Sequence, residues 1–229
     1  MLLLQQRGKM EKYLAALQEV ALFKGIKDTD LTALLSCLGA QIKHYSKGED
    51  IVNQDAFVST LGIVLTGSVQ IIKDDAFGNR TLVDKLTATD LFAEAYSCVQ
   101  KERLPVCVIA ENNCDILFIN YKKIVTTCTA ACGFHSLLIE NMLMILAAKN
   151  IGLTKKIEHL SKRTTREKLL SFLSAQAQRQ GSNSFTILYN RQDLADYLCV
   201  DRSAMSNELS KMKAEGLIDF ERNNFFLPN

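Results

Sequence analysis

Apolar residues change their spacing three times along this chain, and each change predicts a different kind of element. Over residues 15–38 the spacing is helical, with Leu17, Val20, Leu22 and Phe23 leading into Thr29-Asp30-Leu31-Thr32-Ala33-Leu34-Leu35. Thr29 or Asp30 is placed to cap the second of two short helices. From Ala40 to about Tyr121 the texture becomes β-rich, in short runs: Ile51-Val52, Leu61-Gly-Ile-Val-Leu65, Ser68-Val-Gln-Ile-Ile72, Arg80-Thr-Leu-Val83, Val106-Cys-Val-Ile-Ala110 and Asp115-Ile-Leu-Phe-Ile119. Lys47-Gly48, Thr66-Gly67, Phe77-Gly78-Asn79 and Asn112-Asn113 punctuate them. Evenly spaced short strands with turn signals predict a compact barrel or roll.

Residues 133–161 then read as one long helix. Ile139, Leu143, Leu146, Asn150, Leu153, Ile157 and Leu160 follow one another at spacings 4, 3, 4, 3, 4, 3. In heptad terms Ile139, Leu146, Leu153 and Leu160 are d positions, and Leu143, Asn150 and Ile157 are a positions. Leucine at most d positions with one Asn at a predicts a parallel two-stranded seam, hence a homodimer. A buried amphipathic helix within one subunit is the alternative. Met142 and Ile145, on another face, suit packing on the roll as well.

The third texture begins at Arg163-Thr164-Thr165-Arg166-Glu167, where a Thr can cap a helix running from Arg166 to about Gln180 and ending at Gly181. Phe185-Thr-Ile-Leu188 predicts a strand. Asn190 caps a helix through Leu198, Cys199-Val200-Asp201 is a tight turn, and Arg202 to Glu215 is a second helix stopped by Gly216. Leu217–Phe220 and Phe225–Leu227 make a hairpin across Glu221–Asn224, with Asn223-Asn224 suited to left-handed backbone angles. Helix, three-residue turn, helix and hairpin form a winged helix-turn-helix. Leu194, Ala195, Leu198, Val200, Met205, Leu209 and Met212 would face inward. Arg202, Ser203, Ser206, Asn207 and Ser210 share the outer face, and these are the groups that read base edges and clamp phosphates in a major groove. Asn190, Arg191 and Gln192 at the start of the first helix, and Arg222 and Asn223 in the wing, complete the candidate DNA-contacting set.

Composition narrows the classes further. With 229 residues, 48% hydrophobic and 23% charged, disorder and fibrous architecture are excluded. Net charge is +2, from 27 basic and 25 acidic residues, which excludes a polybasic nucleic-acid coat but not a site-specific reader. No run approaches the roughly 20 apolar residues of a membrane span. The opening Met1-Leu-Leu-Leu-Gln-Gln-Arg-Gly-Lys-Met10 lacks a signal-peptide cleavage site and reads as an upstream start ahead of Met10. A cytoplasmic location with reduced thiols is therefore expected, with no membrane partner. Seven cysteines, none in C-x2-C spacing, read as small buried hydrophobes. G-x-S-x-G, Walker A, G-x-G-x-x-G and H-E-x-x-H are all missing, and Asp74-Asp75 falls at a turn, so an enzyme is not expected.

From about residue 15 onward the chain resembles the cyclic AMP receptor protein/FNR (Crp/Fnr) family of bacterial transcription regulators. The resemblance rests on the glycines Gly48, Gly67 and Gly78, the segment Asp90-Leu-Phe-Ala-Glu-Ala95, the dimer helix and, most specifically, residues 190–227. It implies an α+β protein: an N-terminal β-roll over 15–132 (a cyclic-nucleotide-binding-like jelly roll), a dimerisation helix over 133–162 and a C-terminal winged helix-turn-helix over 163–229. It also implies a palindromic double-stranded DNA operator and, for an activator, contact with RNA polymerase. Family members typically read DNA with a Glu near the start of the recognition helix and an Arg four residues later. Ser203 and Asn207 stand there in this chain, beside Ser206, which matches one branch of the family. Asn prefers adenine where Arg prefers guanine, so a different half-site is expected.

The sensor departs further. Cyclic-nucleotide-binding members carry Gly-Glu, then Arg-Ser some ten residues on, and Thr-Ser on the dimer helix. Counted without gaps, this chain has Ala93-Glu94, Leu104-Pro105 and Gly152-Leu153. A cyclic phosphate facing Leu and Pro would be unpaired, so cyclic AMP is not the expected effector and no cofactor is assigned. Glu94, Tyr96, Leu104, Pro105 and Gly152 are left as a pocket for a small organic molecule, or as a vestige in a constitutive DNA binder. Gly152 is also a candidate hinge. Iron–sulfur members carry a clustered N-terminal cysteine set, whereas only Cys37 stands there here. Cys128 and Cys132, four apart, could form a redox pair, and His44, His135 and His159 are scattered. A ligand-binding module acting on a partner protein, or a thiol redox-sensing regulator, are the competing readings.

Overall fold

The computed structural model describes residues 12–75, 77, 80–99, 101–126 and 134–228. The Met1–Met10 segment, the Gly78-Asn79 turn and the Cys128/Cys132 pair lie outside them. The chain divides into two compact units, Met1–Lys149 and Asn150–Asn229.

The first unit opens with α1 (Leu14–Gln18), a 3-10 turn (Ala21–Phe23) and α2 (Asp28–Cys37). Helix α2 starts one residue before the sequence-based cap. Lys27 is its N-cap, in extended conformation and without a side-chain cap bond, so Asp28 and Asp30 fall inside the first turn. There they favour the helix through the dipole rather than by capping. Among the described residues eight strands follow, β1 (Gln41–Tyr45), β2 (Asp50–Val52), β3 (Thr60–Thr66), β4 (Ser68–Asp74), β5 (Arg80–Thr87), β6 (Leu91–Phe92), β7 (Cys107–Ala110) and β8 (Cys114–Asn120), with short helices α3 (Glu94–Val99) and α4 (Tyr121–Val125). They form two antiparallel sheets, ordered β1-β8-β3-β6 and β2-β7-β4-β5.

The β3 sequence explains the layering. Leu61, Ile63 and Leu65 point to one core together with Leu117 and Ile119 of β8 and the helices, while Val64 points to the other with Val69, Val108, Ala110 and Ile116 of both sheets. A strand covered on both faces needs an unbroken apolar run, and Leu61–Leu65 is one. The Thr66-Gly67 turn is as the punctuation predicts. Gly67 has φ +79, and a Cβ there would sit 2.5 Å from the Asn113 carbonyl oxygen. Backbone cannot yield as a side chain can, so Gly67→Ala should cost about 1–3 kcal/mol of roll stability, read as a lower urea midpoint.

Helix α5 (Phe134–Leu160) leaves the roll from this core. Leu138 and Met142 are buried, Phe134, Ile145 and Leu146 pack alongside, and the Asn141 amide donates to the Leu22 and Lys24 carbonyls at 3.0 and 2.9 Å. By length and composition alone the helix could cross a membrane, with a mean hydropathy of 1.4 over its most apolar stretch. Leu138 and Met142 close into the roll core. Leu143, Met144, Ile151, Leu153 and Ile157 remain exposed, Leu143 at 63% and Ile157 at 66%.

In the second unit, α6 (Thr165–Gln180) is capped by a reciprocal Thr164–Glu167 box and stopped by Gly181 in the left-handed region. Strand β9 (Ser184–Thr186), α7 (Arg191–Leu198), α8 (Arg202–Ala214), β10 (Asp219–Glu221) and β11 (Asn224–Phe226) complete it. The three strands pair in the order β10-β11-β9. Leu194, Ala195, Leu198, Met205, Leu209 and Met212 are buried with Leu169, Phe172, Leu173, Phe185 and Phe225. Six of the seven residues expected to face inward are therefore core, and Val200 packs against them partly buried. The wing turn differs from expectation: it is tighter, Glu221 pairs directly with Asn224, and Arg222 rather than Asn223 or Asn224 takes the left-handed conformation, with φ 52.

Candidate nucleic-acid interface

The turn between α7 and α8 sets the geometry. Cys199 ends α7 in the left-handed region with φ 51, and Asp201, two residues on, begins α8 as its N-cap. The Asp201 carboxylate accepts from the Ala204 amide at 2.7 Å and from the Ser203 hydroxyl. The hydroxyl bond first, and the amide next, hold its pKa below the ordinary carboxylate range. Asn190 caps α7 in the same way, accepting from the Asp193 amide at 2.9 Å. Lys168 of α6 donates to the Leu198 carbonyl at 3.1 Å, closing the other end of α7.

Arg166 fixes α8 from behind. Its guanidinium bonds Glu208 and forks onto both Glu215 oxygens at 2.7 and 2.8 Å. Two-point pairing of this kind sets orientation as well as distance. The outer face of α8 is thus presented by a helix held at its start by a cap and along its flank by a guanidinium.

Six of the candidate residues come together. Asn190, Arg191, Gln192, Arg202, Arg222 and Asn223, with Asn224, line one open depression of about 650 Å³ formed by the starts of both helices and the wing. Their side chains are not equivalent. Arg191 is half-buried, with Nη2 donating to the Arg222 carbonyl at 2.8 Å and its guanidinium 4.9 and 5.0 Å from the centres of the Phe220 and Phe225 rings. Burial lowers its pKa from the ordinary value, and its Nη1 has no hydrogen-bond partner among the described residues. It fastens the wing to α7, a role its sequence position did not announce. Gln192 bonds Asp196 at 2.8 Å and Ser203 serves the cap. Arg202, Asn207 and Arg222 are exposed, and their side chains make no hydrogen bond or ion pair among the described residues. Ser206 is half-buried beside Asn207, and its carbonyl accepts from Ser210 at 3.0 Å.

In the roll, Glu94 is buried and paired with Lys149 of α5 at 3.0 Å, while its Oε2 has no hydrogen-bond partner among the described residues. The same Lys149 donates to the Leu91 carbonyl at 2.6 Å. Leu104 is buried, and its backbone exchanges two bonds with the Asp55–Ala56 loop, at 2.7 and 2.9 Å. Tyr96 and Pro105 are half-buried. Gly152 belongs to the second unit, and a Cβ there would meet nothing within 4 Å. Arg103 escaped the gapless count. One residue of shift places Arg103-Leu104 where the family has Arg-Ser. Its Nη1 donates to the Asp55 carbonyl at 3.2 Å, and its guanidinium lies 4.8 Å from the centre of the Phe57 ring, on the exposed side.

The histidines stand apart: His44 on Asp115 at 2.9 Å, His135 on the Lys123 carbonyl at 3.2 Å, His159 on the Ser171 hydroxyl at 2.8 Å. Among the described residues no group of three His, Cys, Asp or Glu side chains is placed to hold a metal. Burial pushes the Cys107 thiol up to about 11, helped by Asp50, and raises Cys98 and Cys114 as well.

Residues 42–130 match the cyclic nucleotide-binding domain family, and residues 167–229 match the Crp-like helix-turn-helix domain family. No curated protein matches the chain. Solved structures that share its fold include the following three. FixK2 from Bradyrhizobium japonicum is 19% identical with a TM-score of 0.61, over 83% of this chain and 93% of that one. The c-di-GMP-responsive global regulator CLP from Xanthomonas campestris is 16% identical at 0.66, over 86% and 99%. A CooA mutant from Carboxydothermus hydrogenoformans is 17% identical at 0.64, over 85% and 86%.

Proposed function

Since the chain belongs to the Crp/Fnr family of transcription regulators, we propose that it is a homodimeric, sequence-specific DNA-binding regulator acting in the cytoplasm. The observation that carries this reading is the gathering of three arginines and the α7 and α8 starts around one open depression. A helix N-terminus flanked by cations suits a backbone phosphate. Beside it, uncommitted Arg202 and Asn207 project from α8 for base edges, Asn207 toward adenine. The exposed Leu143, Leu153 and Ile157 support a parallel seam, with Asn150 setting its register. Two recognition helices would then read half-sites one helical turn apart.

The roll acts as the sensor, for an effector other than cyclic AMP. Glu94 is already neutralised by Lys149, Arg103 is turned to Asp55 and Phe57, and Gly152-Leu153 offers no hydroxyl. Titration calorimetry with cyclic AMP should register no heat; a fitted site that vanished in Arg103→Ala would overturn this. Effector binding would shift the seam near Asn150–Leu153, with Gly152 as hinge. Gly152→Ala meets no steric obstacle and should stabilise the helix by about 1 kcal/mol. If Gly152 is the hinge, operator affinity of the effector-free protein changes with it. Raised stability at unchanged affinity would remove the hinge.

The function itself is tested by selecting duplexes from a random pool and titrating salt. Enrichment of a palindrome, with affinity falling steeply as salt rises, is expected. No enrichment at any salt would instead favour a module acting on a partner protein.

A further inference from the structure

The end of α5 is joined to the winged domain through a small aromatic seat. His159 is buried, with Nδ1 at 2.8 Å from the Ser171 hydroxyl of α6 and its ring edge-on to Phe172, centroids 6.0 Å apart at 82°. Phe172 in turn meets Tyr189 and Tyr197 at 6.1 and 5.5 Å. One turn earlier on α5, the Lys156 ammonium stands 4.1 Å from the centre of the Tyr197 ring. Only Ser161-Lys162-Arg163-Thr164 separates the two helices, so within the second unit these side chains join α6 to the last turns of α5.

We propose that His159 is a proton-operated latch: with its imidazole neutral the winged domain is seated on the helix end for DNA, and with it protonated the seat loosens and operator affinity falls. The latch rests on the DNA-binding reading above.

The charges around the ring favour this. Lys155, Glu158 and Lys162 flank it from its own chain segment, the Lys156 ammonium stands over the nearby Tyr197 ring, and Ser171 and Phe172 of α6, which contact it directly, supply no anion. Burial lowers the His159 pKa from its ordinary value; Glu158 opposes, and Lys162 and Lys155 add to the lowering. The sign follows. A depressed histidine stabilises the docked state above its ordinary pKa, and that stability is lost as pH falls through the lowered one.

The test is operator affinity of the full-length protein from about pH 8 to about pH 5.5 at constant ionic strength. Wild type should lose about tenfold or more, since each protomer of a dimer carries one latch. His159→Phe keeps an aromatic edge against Phe172 and cannot take a proton, so its affinity should stay level. His159→Gln, which keeps a hydrogen-bonding group for Ser171, should also be level if the phenylalanine variant fails to fold. Identical pH profiles for wild type and variants would overturn the latch. If no DNA is bound at any pH, the DNA reading fails instead. NMR then decides the latch: Phe172 and Tyr197 ring signals that follow the His159 titration support it, and signals that stay put overturn it.

Discussion

Arg202→Ala should abolish specific operator binding while leaving the fold intact. Arg202 is exposed, is the first residue of α8, and its side chain makes no bond among the described residues, so its removal strands no partner there. A bidentate Arg contact is worth about 1–3 kcal/mol of base discrimination, and a palindrome counts it twice. If Arg202 holds a phosphate instead, all sequences weaken alike and the salt slope falls by about one per half-site. Asn207 gives the complementary result: Asn207→Arg should move the preferred base from adenine toward guanine at one position of the selected half-site. Arg191→Ala should behave differently, because its guanidinium fastens the Arg222 carbonyl and two Phe rings. It should lower the melting temperature of the winged domain as well as affinity. Wild-type affinity in Arg202→Ala across a salt series would remove α8 from the interface.

Apolar periodicity carries the buried face of this domain and not the commitments of its outer one. The spacing of Leu194, Ala195, Leu198, Met205, Leu209 and Met212 was enough to place the helix-turn-helix core, because helical burial repeats at a fixed period. The same rule cannot tell which outer residues are already spent. Arg191, Gln192 and Ser203 look as available as Arg202 in one dimension, and only three-dimensional partners separate them. The roll was legible where strands are covered on both faces, as in Leu61–Leu65, and not at its margins. Strand β1 lies at a sheet edge with Gln41, Lys43 and His44 exposed, so it carries little apolar signal. Strand β6 is two residues long and has no period at all. The Glu94–Lys149 pair was out of reach for another reason: 55 positions of chain separate partners that only the packing of α5 on the roll brings together. Arg103 was within reach, since a one-residue gap exposes it. In the wing turn propensity favours Asn over Arg in the left-handed region, whereas the direct Glu221–Asn224 pairing puts Arg222 there.

Ile157→Asp should convert the protein to a monomer and remove operator affinity with it. Ile157 is 66% exposed in the single chain, so the substitution buries no charge within the protomer and should leave its own stability within about 0.5 kcal/mol. In a parallel two-fold seam the same residue faces itself, and two carboxylates then confront each other across an apolar contact. Sedimentation velocity should show half the wild-type mass with unchanged near-ultraviolet dichroism, and DNA binding reduced to the weak affinity of one half-site. Asn150→Val probes the opposite sign. Asn at an a position sets register at a cost in stability, so valine should tighten association or admit larger assemblies. Leu146 sharpens the choice of interface, because it packs against the roll core while Leu143 on the neighbouring row stays open. The contact row is therefore expected to run along Leu143, Asn150 and Ile157. If Ile157→Asp remained a dimer, the apolar row on α5 would have to be covered by something other than its own copy, and the spacing of the two recognition helices would need another origin.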